Sequence, residues 1–308
     1  MDETGKSRLA GHLACAGAYV IFGLNIVMCK DIARCSDTIT PTMLFTLRAA
    51  GATALFWLVS AFMPRERVAR RDWGRIVAAS LLGLFAPQMT FLVAITMTTS
   101  IDVSILSSFS PIMTMFIAAV FLHEPITPKK AGGVAMSFAG VLLLISGTFH
   151  DAGAVEQTKP LGVVLILMNC LSFALYLGAF RPLIARYSVV TFMKWSFLVS
   201  LLVSLPFSAK DFASARWSDV PASVGWELAY VIFFATFVAY FLIPYGQKRI
   251  RPTLVSMYSY VQPILAAVVS ICIGQDTPTW QKAAAALLVF SGVAVVNRSR
   301  AASHSISR

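Results

Sequence analysis

Ten apolar stretches, each close to the length of a membrane-crossing helix, dominate this chain. A helix that crosses about 30 Å of hydrocarbon needs about 20 residues at a rise of 1.5 Å per residue. Such stretches lie near residues 11–30, 41–63, 74–97, 102–122, 130–147, 161–181, 190–207, 226–246, 252–273 and 280–297. Backbone N–H and C=O groups in lipid must form their hydrogen bonds within the protein, so the pattern predicts an all-α polytopic membrane protein.

The composition agrees with this class and excludes a soluble domain. Hydrophobic residues make up 57% of the 308 residues and charged residues 13%, whereas a soluble domain carries about 25% charged residues. The expected surrounding is therefore the lipid bilayer. The first stretch contains Asn25 and Lys30 and no small-residue cleavage site, so we expect a retained helix rather than a signal peptide.

The net charge of +11 indicates orientation rather than nucleic-acid binding. If the N-terminus is placed on one side of the membrane, that side receives seventeen of the 25 Lys and Arg residues and the opposite side six. Lys and Arg accumulate in cytoplasmic loops. We therefore expect an even number of spans, both termini in the cytoplasm and no nucleic-acid partner.

The second half of the chain resembles the first at an offset of about 152 residues. Matching positions are Ser104 with Ser256, Ser107 with Ser259, Pro111 with Pro263, and Gly140 with Gly292. This predicts two repeats, residues 1–150 and 151–308, with five helices each. Since five is odd, the second repeat enters the membrane from the other side. The expected fold is ten transmembrane helices as two inverted five-helix repeats, a plan of secondary transporters with the solute site near the midplane.

Polar side chains at membrane depth are the candidate solute contacts. They are costly against lipid, so we expect them to face the bundle interior. In spans 4 and 9, serines spaced by three residues and a following proline place hydroxyls and a freed carbonyl on one helix face. Interhelical packing is the open alternative, and Asn169 is a further polar residue at this depth. The candidate substrate-binding residues are Asn25, Gln88, Ser108, Tyr176, Tyr240, Tyr260 and Gln262.

Arg48 and Asp102 are the candidates for charge binding or coupling. Arg48 lies seven residues inside Pro41, about 10 Å deep at helical rise. Its guanidinium can hold a carboxylate or phosphate through two parallel hydrogen bonds. Contact with neighbouring carbonyl groups, or snorkelling, is the alternative. Asp102, at the outer start of span 4, is either a cap of the helix N-terminus or a proton-coupling group.

Enzyme motifs are absent from the sequence. There is no HExxH, no GxSxG and no phosphate-binding loop, and the five cysteines and four histidines show no metal-ligand spacing. We therefore expect no catalytic residue, no metal and no cofactor.

The ends of the two halves resemble a known family. The stretches are SPIMTMFIAAVFLHEPITPKKAGGVAMSFAGVLLL and QPILAAVVSICIGQDTPTWQKAAAALLVFSGVAVV. Together with FGLN in span 1 and Arg48 in span 2, they are similar to the EamA type of the drug/metabolite transporter superfamily. The second half departs from the pattern, because Gln275 and Asp276 stand where Gly-Glu is more usual. The resemblance implies a plasma-membrane transporter of small metabolites, often an amino-acid exporter, with a cavity formed by spans 1, 3, 4, 6, 8 and 9.

The expected function is a secondary transporter that moves a small organic metabolite by alternating access, with amino acids and export as the first expectation. Two alternatives stay open. One is a lipid-carrier flippase, which needs a basic groove open to lipid, and the other is a non-transporting membrane scaffold subunit. The expected partners are the solute and the bilayer, and the oligomeric state is left open.

Overall fold

The architecture is helical throughout the described part of the chain. The computed structural model describes residues 3–110, 112–114, 116–117, 127–147, 158–250, 255, 258–274 and 279–305, and these contain no strand. A short helix, Arg181–Arg186, precedes the seventh apolar stretch. The helices of the ten stretches are α1 (Glu3–Cys35), α2 (Pro41–Ala61), α3 (Arg70–Ile95), α4 (Ser100–Ser107), α5 (Pro128–Gly147), α6 (Pro160–Ala179), α7 (Val189–Ser214), α8 (Ala222–Gln247), α9 (Val261–Cys272) and α10 (Trp280–Ser305).

Six of these helices, α1, α2, α3, α6, α7 and α8, are long and apolar enough to cross a membrane. Shorter apolar segments lie within the described parts of α5, α9 and α10, at Ala131–Gly140, Val261–Cys272 and Ala283–Gly292. The prediction of an all-helical, membrane-spanning chain is therefore confirmed for the described ranges.

Hydroxyl caps set several of the helix starts. The Thr40 side chain accepts a hydrogen bond from the Met43 amide at 3.2 Å, and Pro41 fills the first helical position of α2. Thr99 caps α4 and Ser188 caps α7 in the same way. These side chains satisfy amides that have no partner within the first turn of a helix.

The α1 helix is longer than the predicted 11–30 span and includes Lys30. We expected Lys30 at the end of the span, in the outer connection, but it is buried inside the helix. No proline or glycine interrupts the chain between Lys30 and Cys35, so the helix continues. The Lys30 ammonium donates to the carbonyl of Ile95 at 3.1 Å, the last residue of α3. A cation at a helix C-terminus satisfies a terminal carbonyl and the helix dipole.

Two helices contain π-helical segments at equivalent places. In α3 the segment is Leu81–Phe85, and in α8 it is Val231–Val238. Shifted by 152 residues, the first segment corresponds to residues 233–237, which lie within the second segment. A π turn accommodates one more residue than an α turn and rotates the helix beyond it. This rotation changes the direction in which the following side chains point, including those of Gln88 and Tyr240.

The helix pairings follow a two-fold pattern. If α1 to α5 are exchanged with α6 to α10, the α3–α6 pair becomes α8–α1, and the α1–α9 pair becomes α6–α4; all four pairs are in contact. The pairs α2–α7, α4–α9 and α5–α10, which map onto themselves, are also in contact. The described helices therefore pack as two equivalent halves.

The α5–α10 pair shows this equivalence at the level of single glycines. A methyl group on Gly140 would lie 2.9 Å from the carbonyl oxygen of Ala285, and one on Gly292 would lie 2.3 Å from that of Gly133. At the 152-residue offset each of these contacts maps onto the other. Small residues of this kind let two membrane helices bring their backbones together.

Hydrogen bonds and an ion pair join the loops at one end of the bundle. The Tyr187 hydroxyl donates to an Asp72 carboxylate oxygen at 2.6 Å and accepts from the Ala69 amide at 3.2 Å. Arg186 forms an ion pair with Asp72 at 2.7 Å. Lys248, just after α8, donates to the carbonyl of Tyr187. We call this set of five residues the Tyr187 junction.

Glu66 fixes the α2–α3 loop beside this junction. Its carboxylate accepts from the Ser188 amide at 2.9 Å, at the start of α7. Partial burial raises the pKa of Glu66, but hydrogen bonds from Ser188 and Thr191 outweigh burial and hold that pKa below its usual value. Burial lowers the pKa of Lys248, and the nearby Glu66 opposes part of this shift. The loop is thus docked on the N-terminus of α7 by a charged group.

Candidate functional site

A cavity of about 100 Å³ lies between helices of both halves, lined by α1, α2, α3, α4, α6, α8 and α9. Gln88 and Tyr240, which both line it, each lie seven residues before the end of their helix, at Ile95 and Gln247. That is about 10 Å inside each helix at 1.5 Å per residue. The cavity is therefore well inside the bundle.

The cavity lining repeats itself between the two halves. Five pairs of lining residues are related by the offset of 151 or 152 residues, namely Tyr19 with Cys170, Phe22 with Phe173, Gln88 with Tyr240, Ser107 with Ser259, and Ser110 with Gln262. Equivalent residues of two halves can face one cavity only if it lies on the axis that relates them. The cavity thus belongs to neither half alone.

The structure brings five of the nine candidate residues together. The lining includes Asn25, Arg48, Gln88, Tyr240 and Gln262. The other four behave differently: Ser108, Tyr176 and Asp102 do not line the cavity, and the side chain of Tyr260 lies outside the described part of the chain.

Ser108 is used by its own helix rather than by the cavity. Its hydroxyl donates to the carbonyl of Ser104 at 3.2 Å, one turn earlier. The neighbouring Ser107 lines the cavity instead, although its hydroxyl also donates back, to the Val103 carbonyl at 2.7 Å. Pro111 and Ser256, which complete the repeated motif, lie outside the described residues.

Tyr176 lies behind the cavity wall. Its ring stacks on that of Phe173 with centroids 5.8 Å apart, and Phe173 lines the cavity. Gly83, in the π segment of α3, provides the space: a methyl group there would lie 2.2 Å from the Tyr176 ring. The Tyr176 hydroxyl is buried and has no hydrogen-bond partner in the described part of the chain. Tyr176 therefore supports an aromatic wall residue.

Asp102 links the start of α4 to the start of α6. The Thr158 hydroxyl donates to its carboxylate, and the Asp102 amide donates to the capping Thr99 side chain at 3.2 Å. The Lys159 amide donates to the Met97 carbonyl at 2.8 Å beside it. Thr99, and not Asp102, is therefore the cap of α4; Asp102 is an acidic residue in the first turn, and its side chain binds Thr158 and does not line the cavity.

Arg48 extends into the cavity from α2 and is 2% exposed. Its Nε donates to the Thr236 hydroxyl at 2.9 Å, and that hydroxyl donates in turn to the Val231 carbonyl at 2.7 Å, inside the π segment of α8. One Nη contacts the sulfur of Cys29 at 3.9 Å. The π segment thus orients the Arg48 side chain from the facing half.

Gln88 is the second polar group with capacity for a ligand. The side chain is 4% exposed, and the described residues offer its oxygen and nitrogen no hydrogen bond of ordinary length and angle, since the Tyr240 side chain interacts with it only at longer range. Asn169, also in the lining, differs because it donates to the Pro87 carbonyl at 2.5 Å and so joins α6 to α3. A buried amide without partners is costly unless something else binds it.

Aromatic rings that were not among the predicted site residues form much of the remaining wall. Phe22 and Phe173 face the cavity from equivalent positions of α1 and α6, with Phe91 and Tyr19 beside them. The Tyr240 ring packs edge-on against Phe22 with centroids 5.6 Å apart. The offset of the repeat, applied to aromatic residues as well as to polar ones, would have revealed the Phe22 and Phe173 pair.

The site has the composition of a pocket for a small molecule. Its described polar groups are one guanidinium, amides and hydroxyls, set among aromatic rings. Among the described residues no cluster of His, Cys, Asp or Glu has the grouping of a metal site. An apolar wall with a few converging polar groups is typical of ligand pockets.

Sequence relatives of this chain are named as transporters. It is 23% identical over 247 residues to the uncharacterized transporter YyaM of Bacillus subtilis, with 78% of each chain covered. It is 24% identical over 233 residues to the uncharacterized inner membrane transporter YicL of Salmonella typhimurium, with 74% of each chain covered. A probable terminal-alkyne amino-acid exporter of Streptantibioticus cattleyicolor is 25% identical over 199 residues, or 63% of each chain.

The fold has a counterpart among solved structures. This chain superposes on the crystal structure of another protein with a TM-score of 0.66 and 19% sequence identity. The superposition covers 96% of this chain and 98% of the other chain. This likeness concerns the fold alone. The family model of the EamA-like transporter family matches this chain twice, at residues 9–146 and 160–298. The resemblance drawn from the sequence is thereby confirmed, and the chain is a multi-pass membrane protein that belongs to the EamA-like transporter family.

Proposed function

We propose that this protein is a secondary transporter that carries a small organic metabolite across the plasma membrane by alternating access. The observation that carries the proposal is the cavity whose lining residues pair across the two halves. A site on the axis between two equivalent halves stays in place while the halves exchange conformations, and it opens to each side in turn.

The architecture that goes with this function is ten transmembrane helices in two inverted five-helix repeats. The exchanged helix pairings and the paired glycine contacts of α5 and α10 support it. An odd number of spans per repeat requires the halves to enter the membrane from opposite sides. The charge distribution of the loops supports both termini in the cytoplasm.

Amino acids are the first solutes to test, and export is the first direction. The Streptantibioticus cattleyicolor relative, a probable terminal-alkyne amino-acid exporter, supports both choices. The sequence has no phosphate-binding loop. The proposed driving force is therefore an ion gradient, exchange, or the gradient of the solute itself.

Counterflow in proteoliposomes tests the proposal. Vesicles are preloaded with an unlabelled amino acid or organic acid, and uptake of the labelled compound is measured as its outside concentration rises. We expect saturable uptake that the preloaded solute accelerates, because one site serves both sides alternately. Flux that rises linearly without acceleration would assign a channel, and no flux for any solute would favour the two alternatives, a lipid-carrier flippase or a scaffold subunit.

Two variants make this test specific for the cavity. Ser107→Phe places a ring in the lining, and we expect it to abolish counterflow. Phe138→Ala changes a side chain that is 53% exposed on α5 and should leave counterflow unchanged. Equal flux in both variants would move the solute path elsewhere.

A further inference from the structure

We infer that the cavity selects an organic monocarboxylate, a solute with one negative charge and an apolar body, over zwitterions and cations. The inference rests on the proposed function as a metabolite carrier, but it specifies the solute by charge and thereby replaces amino acids, which are zwitterions, with monocarboxylates. Among the described lining residues Arg48 is the single Lys, Arg, Asp, Glu or His, and the others are aromatic, aliphatic, amide, hydroxyl or thiol.

No carboxylate among the described residues forms an ion pair with Arg48. The hydrogen-bonding contacts of Arg48 in the described part of the chain are the Thr236 hydroxyl and the Cys29 sulfur. An isolated cation at this depth is expensive, and an anion that approaches through the cavity compensates it. Nε is held by Thr236 and one Nη contacts the Cys29 sulfur, but each Nη carries two N–H groups, so both keep a donor for the two oxygens of a carboxylate.

Arg48 also breaks the equivalence of the two halves. The capping residues Thr40 and Ser188 align α2 with α7 at an offset of 148 residues, so the position that corresponds to Arg48 is Ser196. Ser196 is uncharged and does not line the cavity, and neither does Ser200, the position at an offset of 152. The paired residues therefore build a neutral wall, and one half adds a single positive charge to it. A solute that complements this charge set carries one anionic group.

The rest of the lining fits the uncharged part of such a solute. The rings of Phe22, Phe91 and Phe173 offer an apolar surface. The Gln88 amide, which makes no hydrogen bond of ordinary length and angle with the described residues, offers a donor and an acceptor to a carbonyl or hydroxyl group. An ammonium group would find no carboxylate in the described lining and would be repelled by Arg48.

Two series of ligands test the inference. Within each series the apolar body is similar and the charge varies. The first is 3-phenylpropionate, phenylalanine, phenethylamine and 3-phenylpropanol; the second is butyrate, 2-aminobutyrate, butylamine and butanol. Binding to the purified protein is measured by thermal shift and by equilibrium titration. We expect a carboxylate in at least one series to bind, and to bind about tenfold or more tightly than its zwitterionic, cationic and neutral analogues.

Arg48 variants connect this selectivity to the residue. Arg48→Gln should weaken carboxylate binding by about 10- to 100-fold, the range for a lost hydrogen bond to a charged group. Arg48→Lys keeps the charge without the paired donors, so it should retain part of the affinity and guards against misfolding of the first variant. Thr236→Val leaves Arg48 in place but unoriented, and an intermediate loss is expected.

Lys194→Gln is the matched control, because Lys194 is also a cation within a span but donates to Ser60 at 2.7 Å and does not line the cavity. It should bind carboxylates as the unmodified protein does. No carboxylate binding in either series, equal affinity for the zwitterion, or full affinity in Arg48→Gln would each overturn the inference. Tighter binding of phenyl phosphate than of 3-phenylpropionate would do the same, by assigning a phosphate.

Flux separates this inference from the proposed function. Saturable counterflow that is indifferent to solute charge would leave the transporter standing and remove the monocarboxylate. Carboxylate-selective binding that depends on Arg48, without counterflow of the bound compound, would keep the ligand class and remove transport.

Discussion

Gln88 holds a buried amide in a position where the protein itself supplies no hydrogen bond of ordinary length and angle, among the residues described. Leaving such a group unsatisfied costs about 1–3 kcal/mol. A residue of this kind is expected where the need to bind a ligand, rather than stability, determines which side chain occupies the position. The adjacent Asn169 makes the contrast clear, because its amide is bonded to the Pro87 carbonyl.

Replacing Gln88 should therefore separate stability from binding. We expect Gln88→Leu to raise the stability of the purified protein by about 1 kcal/mol, since the unsatisfied amide is removed. The same variant should lose solute binding and counterflow. Thermal unfolding in detergent and proteoliposome flux measure the two effects.

Asn169→Leu provides the opposite case. It breaks the bond to Pro87, so its unfolding temperature should fall. If Gln88→Leu were destabilised while its flux stayed normal, the amide would have a structural partner and no role in the cavity.

At the scale of elements, the α5–α10 pair depends on close backbone approach. The carbonyl of Gly133 lies where a side chain on Gly292 would have to go. Helix backbones do not yield as the end of a flexible side chain does, so the two helices must separate to admit a methyl group.

Gly292→Ala should destabilise the protein by about 1–3 kcal/mol, the usual cost of overpacking. Gly132→Ala, on α5 in the same pair, is the control, because nothing lies within 4 Å of the added methyl group. Thermal unfolding of the two variants checks this. A loss of similar size for Gly132→Ala would mean that helix-wide effects, not the contact, are being measured.

The link between the α2–α3 loop and α7 depends on the charge of Glu66. Its pKa is depressed in the folded protein by hydrogen bonds from Ser188 and Thr191, which outweigh burial. A carboxyl group of this kind stabilises the fold fully above its unfolded pKa of about 4.3, and the contribution is lost as the pH falls towards the folded value. Because Glu66 is partly exposed, the contribution is less than about 1 kcal/mol.

Glu66→Gln should therefore lower the unfolding temperature slightly at pH 7. The difference from the unmodified protein should stay constant down to about pH 5 and shrink below about pH 4, where the carboxyl group of Glu66 takes up a proton. Thermal unfolding of both proteins over this pH range measures it. A difference that grows in acid would have the wrong sign for a depressed pKa.

At the scale of the whole molecule, inversion of the two halves makes a prediction about sidedness. The loops 62–69 and 215–221 occupy equivalent places in the two repeats, and Ala69 and Ser218 are exposed in them. In a cysteine-free background, we expect Ser218→Cys to react with a membrane-impermeant maleimide in intact cells. Ala69→Cys should react only after the membrane is opened. Reaction of both from the same side would mean that the repeats are parallel.

Much of the fold followed from the sequence because lipid imposes simple rules. Length and hydropathy predict the helices, and the cost of polar groups in lipid predicts that residues such as Asn25 and Gln88 face inward. Those rules do not distinguish a cavity from the packed space behind it. Tyr176 is polar and buried, yet it lies behind Phe173 because Gly83 leaves room for its ring.

Other features arise from tertiary contacts that a single sequence does not encode locally. The burial of Lys30 depends on where α3 ends, since its ammonium binds the Ile95 carbonyl. The orientation of Arg48 depends on a hydroxyl nearly 190 residues away, at Thr236. Hydropathy also does not predict the π segments, because an apolar helix has the same hydropathy profile with or without a π turn.

The π segments of α3 and α8 mark places where these helices can bend. The two occur at corresponding positions, in Leu81–Phe85 and Val231–Val238, and sharp bends of helices are frequent at π turns. Gln88 and Tyr240 follow the segments within three residues. A bend at either segment would therefore move one polar residue of the cavity wall relative to the others.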